Sequence, residues 1–144
     1  MIDLQNIFAP GDIMILTTVD LRGKPKSRPL LVIPMNKKET LCFFTNEFFG
    51  KTNEIVENPL VCLSYSKPET ETYLSIIGQA SISIEPQPME VFWNPVFITW
   101  FPERLATPNL ALLTIAIEEI ESWDKDSNKM RKLLGPKSRR FFFH

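Results

Sequence analysis

Tyr73-Leu74-Ser75-Ile76-Ile77-Gly78-Gln79-Ala80-Ser81-Ile82-Ser83-Ile84 puts Leu74, Ile76, Ala80, Ile82 and Ile84 on one face with Gly78, and Ser75, Gln79, Ser81 and Ser83 on the other. Sustained alternation of this kind marks a long antiparallel strand buried on one side. Glu85-Pro86-Gln87-Pro88 breaks it. Towards the N-terminus, Leu60 to Ser66 and Leu41 to Thr45 read as shorter strands. Between them, Gly50 to Asn58 reads as a short helix closed by Asn58-Pro59, because proline disfavours helical geometry in the residue before it. Ile13 to Val19 and Lys24 to Met35 form a hairpin across Asp20-Leu21-Arg22-Gly23, whose glycine can take positive φ. Pro25, Pro29 and Pro34 each remove a ladder donor, so this second run is expected at an edge or as a bulged strand at a barrel seam.

Towards the C-terminus, Met89 to Trp100 carries apolar residues at helical spacing interrupted by Asn94-Pro95, which predicts a broken helical connection. Leu110 to Ile117 is a last apolar strand, expected to run past a bulge to Trp123. The strands do not alternate regularly with helices. The pattern is therefore all-β with short helices, a small barrel or strongly curved sheet rather than a parallel α/β fold. Residues 1–124 are expected to form the domain and 125–144 a basic C-terminal tail.

With 144 residues the chain is long enough for one core and too short for two. A formal net charge of −1 points to no nucleic-acid partner. No apolar run reaches membrane-spanning length, and Met1-Ile2-Asp3-Leu4-Gln5 lacks a basic leader segment, so a cytoplasmic protein is expected. Cys42 and Cys62 lie in strand-like runs without Cys-x-x-Cys spacing, in keeping with reduced thiols. The single histidine is the terminal His144, which argues against Ser-His-Asp, Cys-His and His-zinc chemistry. Redox or group-transfer chemistry would fall to a bound cofactor, and no metal site is expected.

Three stretches could carry function. Ser27-Arg28-Pro29-Leu30 places an arginine among β residues, either as a ligand group or as an edge charge against strand pairing. Phe44-Thr45 ends a strand shortly before Gly50-Lys51-Thr52, where a helix N-terminus, a close-approach glycine and a lysine suit a phosphate; equally, Lys51 could be an ordinary solvated residue. This is not a P-loop, because Thr45 stands where that motif needs its first glycine. Trp93-Asn94-Pro95 and Trp100-Phe101-Pro102 are aromatic pairs at proline breaks, suited to a core, a subunit interface or a cofactor wall. The tail, with Lys125, Lys129, Arg131, Lys132, Lys137, Arg139 and Arg140 ahead of Phe141-Phe142-Phe143, is read as simply mobile, or as docking its phenylalanines on a partner subunit, more readily than as a membrane or nucleic-acid surface.

Taken together, Thr17-Thr18-Val19-Asp20, Gly23, Ser27-Arg28-Pro29-Leu30, Phe44-Thr45, Gly50-Lys51, Tyr65, Tyr73-Leu74-Ser75 with Gly78, Trp93-Asn94-Pro95, Trp100-Phe101-Pro102, Leu112-Leu113 and Glu121-Ser122-Trp123-Asp124 resemble the general-stress-protein branch of the pyridoxamine 5'-phosphate oxidase-like flavoproteins. The resemblance covers about residues 10 to 124. It implies a six-stranded antiparallel split β-barrel of the FMN-binding type, a homodimer with FMN in the grooves between subunits, and a flavin-dependent oxidoreductase or, alternatively, a non-catalytic flavin carrier or sensor. A pyridine nucleotide or small-molecule substrate would be the reaction partner. On the same resemblance, Arg28, Pro29, Leu30, Phe44 and Thr45 line the flavin, and Gly50 and Lys51 take its phosphate. Tyr73 and Ser75 approach from the same subunit, while Trp93, Trp100 and Phe101 close the site from the other. No catalytic acid or base is identifiable. Phe49 stands where relatives carry a phosphate-binding serine, and Glu47 adds a negative charge nearby. The arginine motif that ends true pyridoxamine-phosphate oxidases is missing, so vitamin B6 synthesis is not implied.

Overall fold

In the computed structural model the described residues are 7–9, 11–34, 39–46, 55 and 57–136. Eight strands form one antiparallel sheet: β1 (Ile13–Val19), β2 (Pro25–Leu31), β3 (Ile33–Pro34), β4 (Thr40–Thr45), β5 (Leu60–Lys67), β6 (Thr72–Ser83), β7 (Ala111–Asp124) and β8 (Lys129–Leu134). Their order is β2-β1-β5-β6-β7-β4-β3, with β8 also on β7. The six expected strands are all present, and the fold is the expected split barrel. The proline-bearing run is divided at Val32 into β2 and β3, and it closes the ring. Its first part pairs with β1 (Leu16↔Arg28) and its last two residues pair with β4 (Ile33↔Cys42, Pro34↔Leu41). One run thus serves both edges of the curled sheet, and its prolines sit on those edge strands, Pro25 and Pro29 on β2 and Pro34 on β3.

The hairpin turn forms as expected: Asp20 Oδ1 accepts from the backbone N–H groups of Arg22 and Lys24, both at 2.9 Å, and Gly23 has φ +82°. Those N–H donors hold the Asp20 carboxyl below its ordinary range. The long strand β6 meets β7 with a bulge, Ile77 pairing with Glu119 and Gly78 with Ile117. At that crossing a Cβ on Gly78 would lie 2.5 Å from the Ala116 carbonyl oxygen, so only glycine fits.

Two cores explain why some strands read as alternating and others as continuous. Met14, Leu16, Leu30, Val32, Leu41, Phe43, Leu63, Ile76, Leu113 and Ile115 fill the barrel interior. Leu31, Ile33, Cys42, Phe44 and Leu112 point outward, yet they are buried by Met89, Phe97 and Phe101 of the connection between β6 and β7. That connection is the broken helix expected: α1 (Pro86–Phe92), then 3-10 turns at Pro95–Thr99 and Arg104–Ala106. The helix begins at Pro86, before the expected Met89, because proline is tolerated in a first turn whose N–H groups have no helical partner. Asn94 starts the next turn, its Oδ1 accepting from Val96 N at 2.9 Å.

The segment expected as a tail departs from that reading. Lys129–Leu134 is strand β8, pairing Met130 with Trp123 and Lys132 with Glu121. Lys132 Nζ also reaches Glu119 Oε1 at 3.0 Å. Most of the expected Gly50–Asn58 helix lies outside the described residues, with Ile55 and Glu57 helical. Residues 137–144 lie outside them as well.

Candidate functional site

Where the proline-bearing run pairs with β4 the barrel is sealed. Back along the chain from Ile33, the run leaves β4 and pairs with β1 instead, so β2 and β4 diverge. A cleft of about 200 Å³ opens between them. Arg28, Pro29 and Leu30 of β2 form one wall; Phe44 and Thr45 of β4 with Asn46 form the other, and Trp100 and Phe101 border it from the helical connection. The strand termini explain the chemistry: alternation turns Leu30 and Thr45 towards the barrel interior and Pro29 and Phe44 outward, so the cleft samples both faces of the sheet at the split.

Each wall is held from behind. Phe44 is buried and edge-on to Trp93, Phe97 and Phe101, with ring centroids 5.5, 5.6 and 6.5 Å away. Trp93 is thus a support behind the wall, whereas Trp100 is 39% exposed at its rim. The Arg28 guanidinium donates from Nη1 to Thr18 Oγ1 at 2.9 Å. Thr18 and Thr45, among the described residues the buried polar side chains, both lie at this end of the barrel. Of the expected site residues the structure therefore gathers Arg28, Pro29, Leu30, Phe44, Thr45, Trp100 and Phe101 around one cleft.

Tyr73 and Ser75 are not brought there. Ser75 pairs with Ser64 and Glu121 on the outer sheet face, in the same cross-strand row as Ile15 and Pro29. Three strand spacings, about 14 Å, separate it from Pro29. Trp100 and Phe101 border the cleft from the same chain as Arg28, because the β6–β7 connection folds back over β4. Gly50 and Lys51 lie outside the described residues. Asn46 is a lining residue that the sequence reading passed over, although it directly follows Phe44-Thr45. Among the described residues no cluster of His, Cys, Asp and Glu could hold a metal ion, and no helix is long and apolar enough to cross a membrane.

Residues 3–139 match the family model described as pyridoxamine 5'-phosphate oxidase like. The chain belongs to the pyridoxamine 5'-phosphate oxidase-like family. The pyridoxine/pyridoxamine 5'-phosphate oxidase of Haemophilus influenzae is 39% identical over 67 residues, which cover 46% of this chain and 31% of that enzyme. The aligned stretch is thus under a third of the curated relative. Among solved structures, a Clostridium acetobutylicum protein related to general stress protein 26 superposes with a TM-score of 0.71 at 16% identity, covering 85% of this chain and 86% of the other. The general stress FMN/FAD binding protein of Xanthomonas citri does so with a TM-score of 0.62 at 23% identity, covering 89% and 88%. At these identities the structural likeness establishes the split-barrel fold of the pyridoxamine 5'-phosphate oxidase-like family.

A flavin is the group that this family implies, and the lining residues suit its ring. Pro29, Phe44, Phe101 and Trp100 supply flat apolar surface, Thr45 and Asn46 supply polar edges, and Arg28 supplies a cation. A pocket that encloses a ligand of this size is usually about 300 Å³ or more, so one chain's cleft suits part of an FMN molecule and not all of it.

Proposed function

We propose that the chain binds FMN at the β2–β4 split and acts as a flavin-dependent oxidoreductase of the general-stress kind. The observation that carries this is the convergence of Arg28, Asn46 and an aromatic wall at the split between β2 and β4. The FMN/FAD binding named for the Xanthomonas citri relative supports the choice of ligand. Hydride transfer at the ring is the chemistry that a bound flavin supplies. The chain's own residues bind and tune. Phe44, Phe101 and Trp100 exclude water from the ring faces, Thr45 and Asn46 offer hydrogen bonds at its edge, and Arg28 opposes negative charge that develops on reduction.

The size of the cleft favours a homodimer in which a second copy completes the site. Ile13, Ile15 and Tyr73 are exposed at 47%, 39% and 37% on the outer face of β1 and β6, unusual for large apolar strand residues. The row Pro29–Ile15–Ser64–Ser75 makes that face continuous with the cleft. A second copy seated there would bury the apolar residues and bring additional groups to the flavin.

Absorption spectra of the purified protein with added FMN, followed by anaerobic NAD(P)H, test the reading. A perturbed flavin spectrum that bleaches with pyridine nucleotide is the expected result. Bound flavin that no pyridine nucleotide reduces would favour a carrier or sensor, a reading supported by the lack of a carboxylate, thiol or imidazole among the described residues lining the cleft. No binding at micromolar FMN would refute the flavin reading. Light scattering coupled to size exclusion tests the dimer, and a monomer at working concentration would refute it.

A further inference from the structure

We propose that Thr18 is the positioning residue of this cleft: its buried hydroxyl holds the Arg28 guanidinium at the open end of the split, where the charge meets an electronegative group of the flavin. This rests on the flavin reading above. The direct cross-strand partner of Arg28 is Leu16, which is fully buried in the barrel core. A guanidinium lying over Leu16 would exchange part of its hydration for contact with an apolar side chain. Along the strand, Thr18 is the next β1 residue on that face towards the open end. Diagonal neighbours of this kind lie within reach of a long side chain.

The observed contact, Nη1 to Thr18 Oγ1 at 2.9 Å, is that diagonal. Thr18 is 2% exposed. Burial and β-branching restrict its rotamer, so the acceptor is held in place before any ligand arrives. Its chemistry matters too. A carboxylate at this position would cancel the charge of Arg28, and valine would offer it no acceptor, whereas a hydroxyl fixes the guanidinium and leaves its charge unchanged. The adjacent Thr17 behaves differently, sharing a hydrogen bond of 2.7 Å with Ser27 on the opposite face of the hairpin. Two threonines next to each other in sequence are thereby separated in role by strand alternation.

A double-mutant cycle on the full chain decides the matter, with FMN affinity read by quenching of flavin fluorescence. Thr18→Val is expected to weaken FMN binding roughly tenfold or more, the scale of one hydrogen bond to a charged group. Thr18→Ser, which keeps the acceptor, should stay close to the parent. In an Arg28→Gln background, Thr18→Val should cause no further loss. Equal losses in both backgrounds, or a serine variant as weak as the valine one, would overturn the proposal. Thr18→Ala replaces the valine variant if that one does not fold. Guanidinium NMR of Arg28 provides a ligand-free arm: rotation about Cζ–Nε should be slow in the parent and in Thr18→Ser and faster in Thr18→Val. If the parent takes up no FMN, the flavin reading falls, and slow rotation persisting in Thr18→Val would separately refute the positioning role.

Discussion

Replacing Phe44 by alanine tests the link between the outer core and the cleft. Phe44 is 2% exposed, points out of the barrel, and meets Trp93, Phe97 and Phe101 edge-on. Removing a buried phenyl ring costs about 3–5 kcal/mol in transfer free energy and residual cavity. Each of the aromatic pairs it makes adds roughly 0.5–1.5 kcal/mol beyond burial, so the upper part of that range is expected. A domain of this size has about 5–15 kcal/mol in all, and most molecules should remain folded at 25 °C. The melting temperature should fall by roughly 8–20 °C, taking about 2–4 °C per kcal/mol for a domain near 150 residues. The assay is urea unfolding followed by tryptophan emission, which should shift to the red in the folded variant because Trp93 loses its neighbour. The control is Leu63→Ala, a barrel-interior residue that is fully buried and outside the cleft. Both variants should be destabilised, but under native conditions only Phe44→Ala should also lose flavin affinity, through its contact with Phe101. A loss below about 1 kcal/mol, or unchanged flavin affinity in the folded Phe44→Ala protein, would refute the argument that the outer core supports the cleft.

Gly78→Ala should cost about 1–3 kcal/mol in denaturant titrations, since the added Cβ must push β6 off the Ala116 carbonyl; a neutral effect would show that the bulge relaxes freely. Trp100→Ala should lower the urea midpoint less than Phe44→Ala does, because Trp100 is 39% exposed where Phe44 is 2% exposed, while weakening flavin binding, with calorimetry reading the affinity and chemical denaturation the stability. The Asp20 carboxyl is held below its ordinary value of 3.8 by backbone donors. Its contribution is therefore complete above that pH and lost as the pH falls through the lower folded-state value. Asp20→Asn should flatten the stability-against-pH curve below about pH 4, and an identical slope in both proteins would show that the turn carboxylate does not titrate as argued.

Local pattern was sufficient for the architecture. The alternation of Tyr73 to Ile84 specified a half-buried strand, and the turn at Asp20-Leu21-Arg22-Gly23 specified a hairpin, because both depend on neighbours a few residues apart. Pro25, Pro29 and Pro34 even marked the sheet edges, since a missing N–H is tolerated on an edge strand. The β8 strand was not legible in the same way. Lys129-Met130-Arg131-Lys132 is exposed and charged, and it is held by main-chain bonds to β7 and by the Lys132–Glu119 pair rather than by an apolar face that alternation could reveal.

By itself, the order of residues determined which segments become strands, where proline and glycine interrupt them, and which side chains were candidates for a ligand. The tertiary structure alone decided which candidates meet. Arg28 and Thr45 share a cleft because the run after Gly23 changes partner from β1 to β4 at Val32. Leu30 to Ile33 and Leu41 to Phe44 are buried on both faces because a distant aromatic connection covers the outer one. Pairing and covering of this kind join residues far apart along the chain, and no local period records them. The same reason separates Tyr73 and Ser75 from that cleft and makes Thr18 a partner of Arg28.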